Sequence, residues 1–200
     1  TAEMIADNIS RLSQDEEARQ SLSRAALGLC DGLGARRTLL RIASDETARD
    51  GQPVSLRPAT MADTEMIYAW QVAPETRAFA RNPELPTREE HNAWMARCMA
   101  DDRVLLNVLL HGEEPSGVLR LDRRQAKVGG GKLQMEVSIY VAPGHYRMGI
   151  ARCALAMARE LIPEAELLAE ILPGNVASQA LFQKAGFIRH NDLYHLAAQA

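Results

Sequence analysis

The stretch MEVSIYVAPGHYRMGIA, residues 135–151, decides how this chain folds. Its first seven residues alternate and are rich in β-branched side chains, which predicts a strand, and Pro143 then marks a loop. Apolar side chains return at helical spacing from Ile150 to Leu161, which predicts a helix that begins at Gly149. Backbone N–H groups at such a start point outward at the positive end of the helix dipole, so they form a ready site for a phosphate.

A second unit of the same kind follows directly. Leu167–Ile171 is predicted to be a strand, and the sequence Pro-Gly-Asn then forms a loop that ends at Asn175. A short helix follows this loop and is closed by Gly186, with a further strand starting at Phe187. The sequence therefore predicts two consecutive strand–loop–helix units.

This order of strand, glycine-bearing loop, helix, strand, Asn and helix resembles the coenzyme A half of the GNAT superfamily of N-acetyltransferases. The resemblance implies that the loop at 146–151 cradles the pyrophosphate of acetyl-CoA, and that Asn175 and the helix after it line the pantetheine arm. The cofactor-binding residues that the resemblance implies are Ile139, Val141, Tyr146, Arg147, Met148, Gly149, Ile150, Ala151, Asn175, Ser178, Phe182 and Lys184.

Two positions depart from the family pattern. Tyr146 stands where the family usually has Gln or Arg, and Arg147 comes one residue late. Because the loop acts mainly through backbone N–H groups, we still expect it to bind the cofactor. Phe182 stands where many relatives have a Tyr that protonates the leaving thiolate, and a Phe side chain has no proton to donate.

Composition restricts the class of protein. The chain has 200 residues and a net charge of −3, so no basic field favours nucleic acid or an anionic membrane. No apolar run is long enough to span a bilayer. Three widely spaced cysteines, Cys30, Cys98 and Cys153, fit reduced thiols in a cytoplasmic protein. The five histidines lack metal-ligand spacing, so no metal is expected.

The first 45 residues are predicted to form a helical leader. One helix is expected over about 2–27 and a second over 36–42, followed by a polar linker over 45–52. The run Cys-Asp-Gly-Leu-Gly-Ala-Arg within Leu27–Arg37 resembles the C-terminal tail of nucleotide-sugar hydrolases of the pseudaminic acid pathway. That resemblance implies that the leader is the remnant of an upstream domain. The alternative is an arbitrary helical leader.

Residues 53–198 are predicted to form the GNAT domain, an α/β (α+β) fold with a mixed, mostly antiparallel sheet flanked by helices. A strand is expected over 54–58 and a hairpin over 104–122. Thr60 is expected to cap a helix, and Thr87 and Glu90 to form the capping box of the next.

The first half of this domain narrows the resemblance. The segments Trp70–Arg77 and Thr87–Trp94 look like the branch that contains nucleotide-amino-sugar acetyltransferases and ribosomal-protein N-terminal acetyltransferases. Both subgroups share this region, so it does not choose between them. The hydrolase-like leader favours the first subgroup by analogy, since fused domains often serve one pathway.

Two carboxylates are candidates for the general base that takes the proton of the amine. Glu136 lies on the polar face of the central strand, where partial burial would raise its pKa toward a useful value. The alternative is a solvated or ion-paired strand carboxylate. Glu170 lies on the next strand and is the rival, with cross-sheet pairing as its alternative. The backbone N–H of Val141 or a near neighbour is the candidate donor to the thioester oxygen.

Other side chains are candidates for the remaining roles. Tyr140 and Ser138 are candidate proton carriers because Phe182 cannot be one, and Tyr194 is a further candidate whose alternative is a structural role. Arg77 and Arg81, in the irregular stretch that Pro74 and other prolines keep from forming one helix, suit a diphosphate. His91 is a weaker candidate for a substrate contact, and the alternative for it is an exposed position beside a helix cap.

These observations predict a cytoplasmic acyltransferase that uses acetyl-CoA to acetylate a nucleotide-linked amino sugar in surface polysaccharide biosynthesis. The expected partners are the small-molecule substrate and an upstream domain of the same polypeptide, and a homodimer is allowed. Two alternatives stay open. One is a protein N-terminal acetyltransferase of the ribosomal-protein type, and the other is a non-catalytic acyl-CoA-binding module of a larger fusion protein.

Overall fold

A computed structural model of the protein describes residues 2–27, 32–36, 38, 45–124, 132–191 and 193–199. The chain forms two compact units, Thr1–Gly34 and Ala35–Ala200. None of the helices in these ranges is both long and apolar enough to cross a membrane. In the same ranges no three or more His, Cys, Asp and Glu side chains come together as a metal site.

The first unit contains two helices, α1 (Ala2–Gln14) and α2 (Glu16–Leu27). The prediction of one continuous helix is wrong because the chain breaks at Asp15, whose carboxylate accepts a hydrogen bond from the Ala18 N–H at 2.8 Å. Asp15 thus acts as an N-cap for α2. The short helix expected over 36–42 lies mostly outside the described residues.

Within the described part of the second unit, a few helical residues at positions 35, 36 and 38 come before the strands and the other helices. In chain order these are β1 (Val54–Pro58), α3 (Thr64–Gln71), α4 (Pro74–Arg77), α5 (Arg88–Ala100), β2 (Val104–His111), β3 (Glu114–Arg123), β4 (Gln134–Val141), α6 (Ile150–Leu161), β5 (Glu166–Glu170), α7 (Val176–Lys184), β6 (Ile188–His190) and β7 (Leu193–Leu196). A short 3-10 turn, Met61–Asp63, leads into α3.

The strands form one seven-stranded sheet in the order β1-β2-β3-β4-β5-β7-β6. Every neighbouring pair is antiparallel except β4 and β5, which are parallel and joined by the crossover helix α6. This confirms the predicted mixed, mostly antiparallel sheet flanked by helices. Most element bounds agree with the sequence prediction. In the predicted hairpin at 104–122, β3 starts at Glu114, so Gly112 and Glu113 alone form the turn.

The two faces of the sheet carry different helices. Side chains at alternate positions of β2, including Leu106 and Val108, pack with Ile67 of α3 and Met95 of α5 in one apolar cluster. The intervening positions face the other way, where α6 packs across β3 and β4. Gly117 of β3 allows a close approach to β4, since a Cβ atom there would lie 2.6 Å from the carbonyl oxygen of Tyr140.

The predicted linker at 45–52 is folded and packed within the second unit. Thr47 forms a β-bridge with Pro53, and Ala48 is buried. A turn at Asp50 and Gly51 then leads into β1, and Gly51 takes the left-handed conformation with φ of 83°. The polar composition of this segment predicts a linker, but Glu46, Thr47 and Arg49 are bonded to the first turn of α6 and the loop before it.

Candidate active site

The two central strands diverge in the middle of the sheet. β4 and β5 stay paired only over three positions, the last of which joins Glu136 to Leu168. Beyond that point β4 continues alone on this side to Val141, whereas β5 pairs with β7. A gap in the parallel pairing therefore opens next to the second half of β4.

Backbone groups of β4 point into this gap. The Gln134 carbonyl accepts from the Arg124 N–H at 2.9 Å, and the Ala142 N–H donates to the Ser116 carbonyl at 2.8 Å, so even-numbered residues bond to β3. In an antiparallel pair the alternate residues direct their main-chain groups to the other side. The N–H groups of Ile139 and Val141 therefore point toward the side from which β5 has departed, where they can donate to a thioester oxygen.

The loop after β4 brings several N–H groups together at the start of α6. Gly149 is the N-cap of α6 and takes the left-handed conformation with φ of 88°. Arg147 is also left-handed, with φ of 64°, which is uncommon for a residue with a side chain and costs about 1–3 kcal/mol. The N–H groups of Gly149, Ile150 and Ala151 have no acceptor inside the helix because they form its first turn. This geometry fits a pyrophosphate.

The second predicted cofactor element lies at the start of α7. Asn175 is the N-cap of this helix, and its side-chain oxygen accepts from the Ser178 N–H at 3.1 Å. Phe182 is buried in the middle of α7, with its ring 4.9 Å from the ring of Phe187, and Lys184 is exposed at the end of the helix. The capping role explains an Asn here without a ligand, so contact of α7 with pantetheine stays a prediction.

Arg81 joins the two candidate base residues. Its guanidinium lies 2.6 Å from Glu136 Oε1 and 3.0 Å from Glu170 Oε2. Both carboxylates lie on the same face of the sheet, beside the place where β4 and β5 part. A second guanidinium, that of Arg124, lies 2.8 Å from Glu136 Oε2. The site therefore combines two carboxylates with a cation held between them.

The expected rise in the pKa of Glu136 is wrong. Burial does raise the pKa of this carboxyl, but the ion pairs with Arg81 and Arg124 outweigh burial and leave it below its ordinary value. The sequence alternation predicted the partial burial but gave no sign of the two arginines, which come from distant positions in the chain. Glu136 is thus a stable carboxylate at neutral pH, and it accepts protons poorly while both arginines remain.

Tyr140 belongs to the half of β4 that borders the gap, but its side chain lies in the apolar interior. Its side chain packs against the apolar cluster beneath α3 and α5, and its buried hydroxyl has no hydrogen-bond partner among the described residues. Burial also raises the pKa of Tyr140, so its proton is held tightly. This placement does not favour Tyr140 as the donor to the leaving thiolate.

His91 is a core residue, so the expectation of an exposed histidine is wrong. It is 2% exposed, with Nδ1 3.0 Å from Gln71 Oε1 and Nε2 3.0 Å from the Thr64 carbonyl oxygen. Burial lowers the pKa of His91, so the neutral ring donates from Nε2 and ties α5 to α3. In this tautomer Nδ1 accepts from Gln71 when the NH2 group of that amide faces the ring, so a buried ring between these two partners is poorly suited to bind substrate.

Arg77 is also engaged within its own segment. Its guanidinium donates to the backbone carbonyls of Asn82 and Glu84, the latter at 2.8 Å. Arg77 therefore shapes the irregular stretch between α4 and α5, which delivers Arg81 to the carboxylates. The sequence singled out both arginines, but it assigned them to a ligand and could not reveal these internal partners.

Comparison with known proteins identifies the fold and the family. The family model described as the acetyltransferase (GNAT) domain matches residues 54–188, more than half of the chain. The chain belongs to the GNAT acetyltransferase family. It is thus an acetyl-CoA-dependent N-acetyltransferase, and the helix-start N–H groups described above fit the cofactor. No curated protein sequence matches the chain.

Solved structures share the fold of this GNAT domain at low sequence identity. RimJ of Mycobacterium smegmatis, in complex with a CoA disulfide, has a TM-score of 0.63 and 18% identity, over 76% of this chain and 85% of that one. An aminoglycoside acetyltransferase in complex with coenzyme A has a TM-score of 0.61 and 18% identity, over 72% and 95% of the two chains. RimL, a ribosomal-protein acetyltransferase in complex with coenzyme A, has a TM-score of 0.59 and 12% identity, over 72% and 94%.

Proposed function

We propose that this GNAT domain acetylates the amine of a nucleotide-linked amino sugar for surface polysaccharide biosynthesis in the cytoplasm. The observation that supports an amine as the acceptor is that the guanidinium of Arg81 is shared between Glu136 and Glu170. A pair of carboxylates that already holds one cation offers the same charge and hydrogen-bond acceptors to an incoming ammonium group. An amino sugar carries such a group at neutral pH.

In the proposed reaction the ammonium takes the position of Arg81 and loses a proton to Glu136, directly or through a water. The amine nitrogen then attacks the thioester carbonyl carbon and the C–S bond breaks. The second amine proton passes to the departing sulfur to leave an amide and a thiol, and Glu136 releases the first proton to solvent. The N–H groups of Ile139 and Val141 stabilise the carbonyl oxygen during attack. The charged ammonium replaces the ion pair that Arg81 makes with Glu136, and once it has given up its proton, only Arg124 still holds the pKa of Glu136 down.

The nucleotide part of the acceptor rests on the resemblance of the sequence to amino-sugar acetyltransferases. One structural neighbour is an aminoglycoside acetyltransferase in complex with coenzyme A and kanamycin. Arg77 and Arg81 are less available for a diphosphate than the sequence predicts, because both have internal partners. Two further proposals rest on sequence resemblance alone: that another domain of the same polypeptide lies upstream, and that the leader is its remnant.

A peptide N-terminus is the second candidate acceptor. It also presents an ammonium group, and RimJ and RimL share the fold. A thiol-release assay with acetyl-CoA separates the candidates when run on nucleotide amino sugars, free amino sugars and peptides with free N-termini. We expect turnover of a nucleotide amino sugar. Turnover of peptides alone would favour the second candidate. If the protein binds CoA normally but turns over none of these acceptors, a non-catalytic binding module is favoured.

The role of Arg81 can be tested once the panel has identified an acceptor. If the acceptor amine replaces the guanidinium, Arg81→Gln removes a competitor, so we expect a lower KM for the acceptor and an unchanged KM for acetyl-CoA. A higher KM for the acceptor would instead indicate that Arg81 binds the diphosphate, as the sequence predicts. Arg103→Gln is a matched control, since Arg103 is another exposed arginine and pairs with Asp101 instead of the two candidate base residues.

A further inference from the structure

The segment that precedes the family match at residue 54 is built against the loop at the start of α6. The Arg49 N–H donates to the carbonyl oxygen of Met148 at 2.8 Å. On the other side of the segment, the Ala48 N–H donates to the Gln52 carbonyl at 2.9 Å, and Ala48 itself is buried. These bonds hold the backbone at Ala48 and Arg49 in place beside the loop before any ligand binds.

The segment also bonds to the first turn of α6 through its other residues. Arg152 donates to the Glu46 carboxylate at 2.7 Å and to the Thr47 carbonyl at 3.0 Å. Arg152 is thus neutralised by an internal carboxylate. Arg49 has no carboxylate within ion-pair distance among the residues that the structure describes, so its charge remains available beside the loop.

The stem of Arg49 lies next to the residue that begins α6. A Cβ atom built on Gly149 would lie 3.6 Å from Cγ of Arg49. The guanidinium extends further along an exposed side chain from that point. Gly149 and the two residues after it supply the N–H groups that fit the pyrophosphate, so Arg49 can bring a full positive charge to the same place.

We propose that Arg49 is a phosphate-binding residue for coenzyme A, contributed from outside the part of the chain that matches the family. A guanidinium presents paired N–H donors that match two phosphate oxygens. The helix-start N–H groups carry only partial charge, so a nearby arginine adds the stronger electrostatic contribution. Coenzyme A offers two such targets, its pyrophosphate and its 3′-phosphate.

Calorimetry with coenzyme A tests this assignment without knowledge of the acceptor. We expect Arg49→Ala to bind coenzyme A about tenfold more weakly, the size of one charge-assisted contact. Arg49→Lys should recover part of the loss, because it keeps the charge without the planar fork. The Ala variant keeps the N–H that bonds to Met148, so the segment should stay folded. Arg97→Ala, on the exposed side of α5, is the matched control.

Dephospho-coenzyme A identifies the target, since it lacks only the 3′-phosphate. A loss of affinity for both ligands assigns Arg49 to the pyrophosphate, and a loss for coenzyme A alone assigns it to the 3′-phosphate. Affinity of Arg49→Ala within twofold of the parent protein would overturn the proposal. So would an equal loss in Arg49→Lys, or a lower thermal midpoint of the ligand-free Ala variant, because either indicates a structural role.

Discussion

Tyr140 and Tyr194 each hold a hydroxyl group in the interior with no hydrogen-bond partner among the described residues. A buried polar group without a partner is destabilising by about 1–3 kcal/mol. The side chain of Tyr140 packs against the apolar cluster, whereas the carboxylates of Glu136 and Glu170 lie in a charged environment. The residue therefore allows a simple test of catalytic against structural roles.

We predict that Tyr140→Phe keeps full acetyltransferase activity and unfolds at the same or a higher temperature. The ring still fills its place in the cluster, while the unpartnered hydroxyl is removed. A large fall in turnover number with an unchanged thermal midpoint would contradict this and restore Tyr140 as the proton carrier. Tyr194→Phe is the matched comparison, because it also removes a buried hydroxyl that has no partner among the described residues. The ring of Tyr194 lies 6.4 Å from that of Phe182.

Glu136 should make stability depend on pH. Its folded-state pKa is lowered by Arg81 and Arg124, so its contribution is complete above the ordinary value of 4.5 and is lost as pH falls through the folded pKa. We expect Glu136→Gln to reduce the free energy of unfolding by about 1 kcal/mol at neutral pH, since Arg81 is largely exposed. Urea titrations should show this difference shrinking below pH 4.5; a constant difference down to pH 3 would argue against the ion pairs.

At the scale of single elements, the start of α6 carries the cofactor assignment. We predict that Gly149→Glu abolishes coenzyme A binding, because a carboxylate at the helix start occupies the anion site with like charge. Gly144→Glu is the control: Gly144 has a φ of 90° in the same loop, so both variants strain the backbone similarly, and nothing lies within 4 Å of a Cβ there. Equal affinities of the two variants by calorimetry would count against the site.

The elements that the sequence predicted well are those with a strong period. Alternation marked β4, and helical spacing after Gly149 marked α6, because each buries one face against the sheet. The break at Asp15 was missed although Asp-Glu-Glu is a helix-start signature, since the apolar positions on either side appear continuous.

The candidate site was predictable only in its backbone. The glycine turn before α6 is a local sequence signal for an anion site. The partners of Glu136, in contrast, come from a loop and from the end of β3, up to 55 positions away in the chain. The packed segment at 46–49 was missed for the same reason, because Glu46 has its partner Arg152 far along the sequence. Local patterns carry no information about such pairs.

For the whole molecule, we predict that the two units differ in their importance for cofactor binding. Removal of residues 1–34 takes away only the first unit, so the remaining chain should fold and bind coenzyme A like the parent. Removal of residues 1–52 also takes Glu46 and Arg49 from the start of α6 and should weaken binding at least tenfold. Equal affinity of the two truncated proteins would show that the segment is dispensable.

The thiol of Cys153 is a natural chemical probe for the opening of the segment at 46–49. This sulfur is fully buried beneath Thr47, 3.4 Å from its carbonyl oxygen, and burial raises the pKa of the thiol to about 11. Because Thr47 lies against the sulfur, we expect a maleimide or disulfide reagent to reach it when the segment at 46–49 lifts from α6. The rate of modification of Cys153 thus reports how often that segment opens. A lower rate in the presence of coenzyme A would show that the bound cofactor holds the segment against α6.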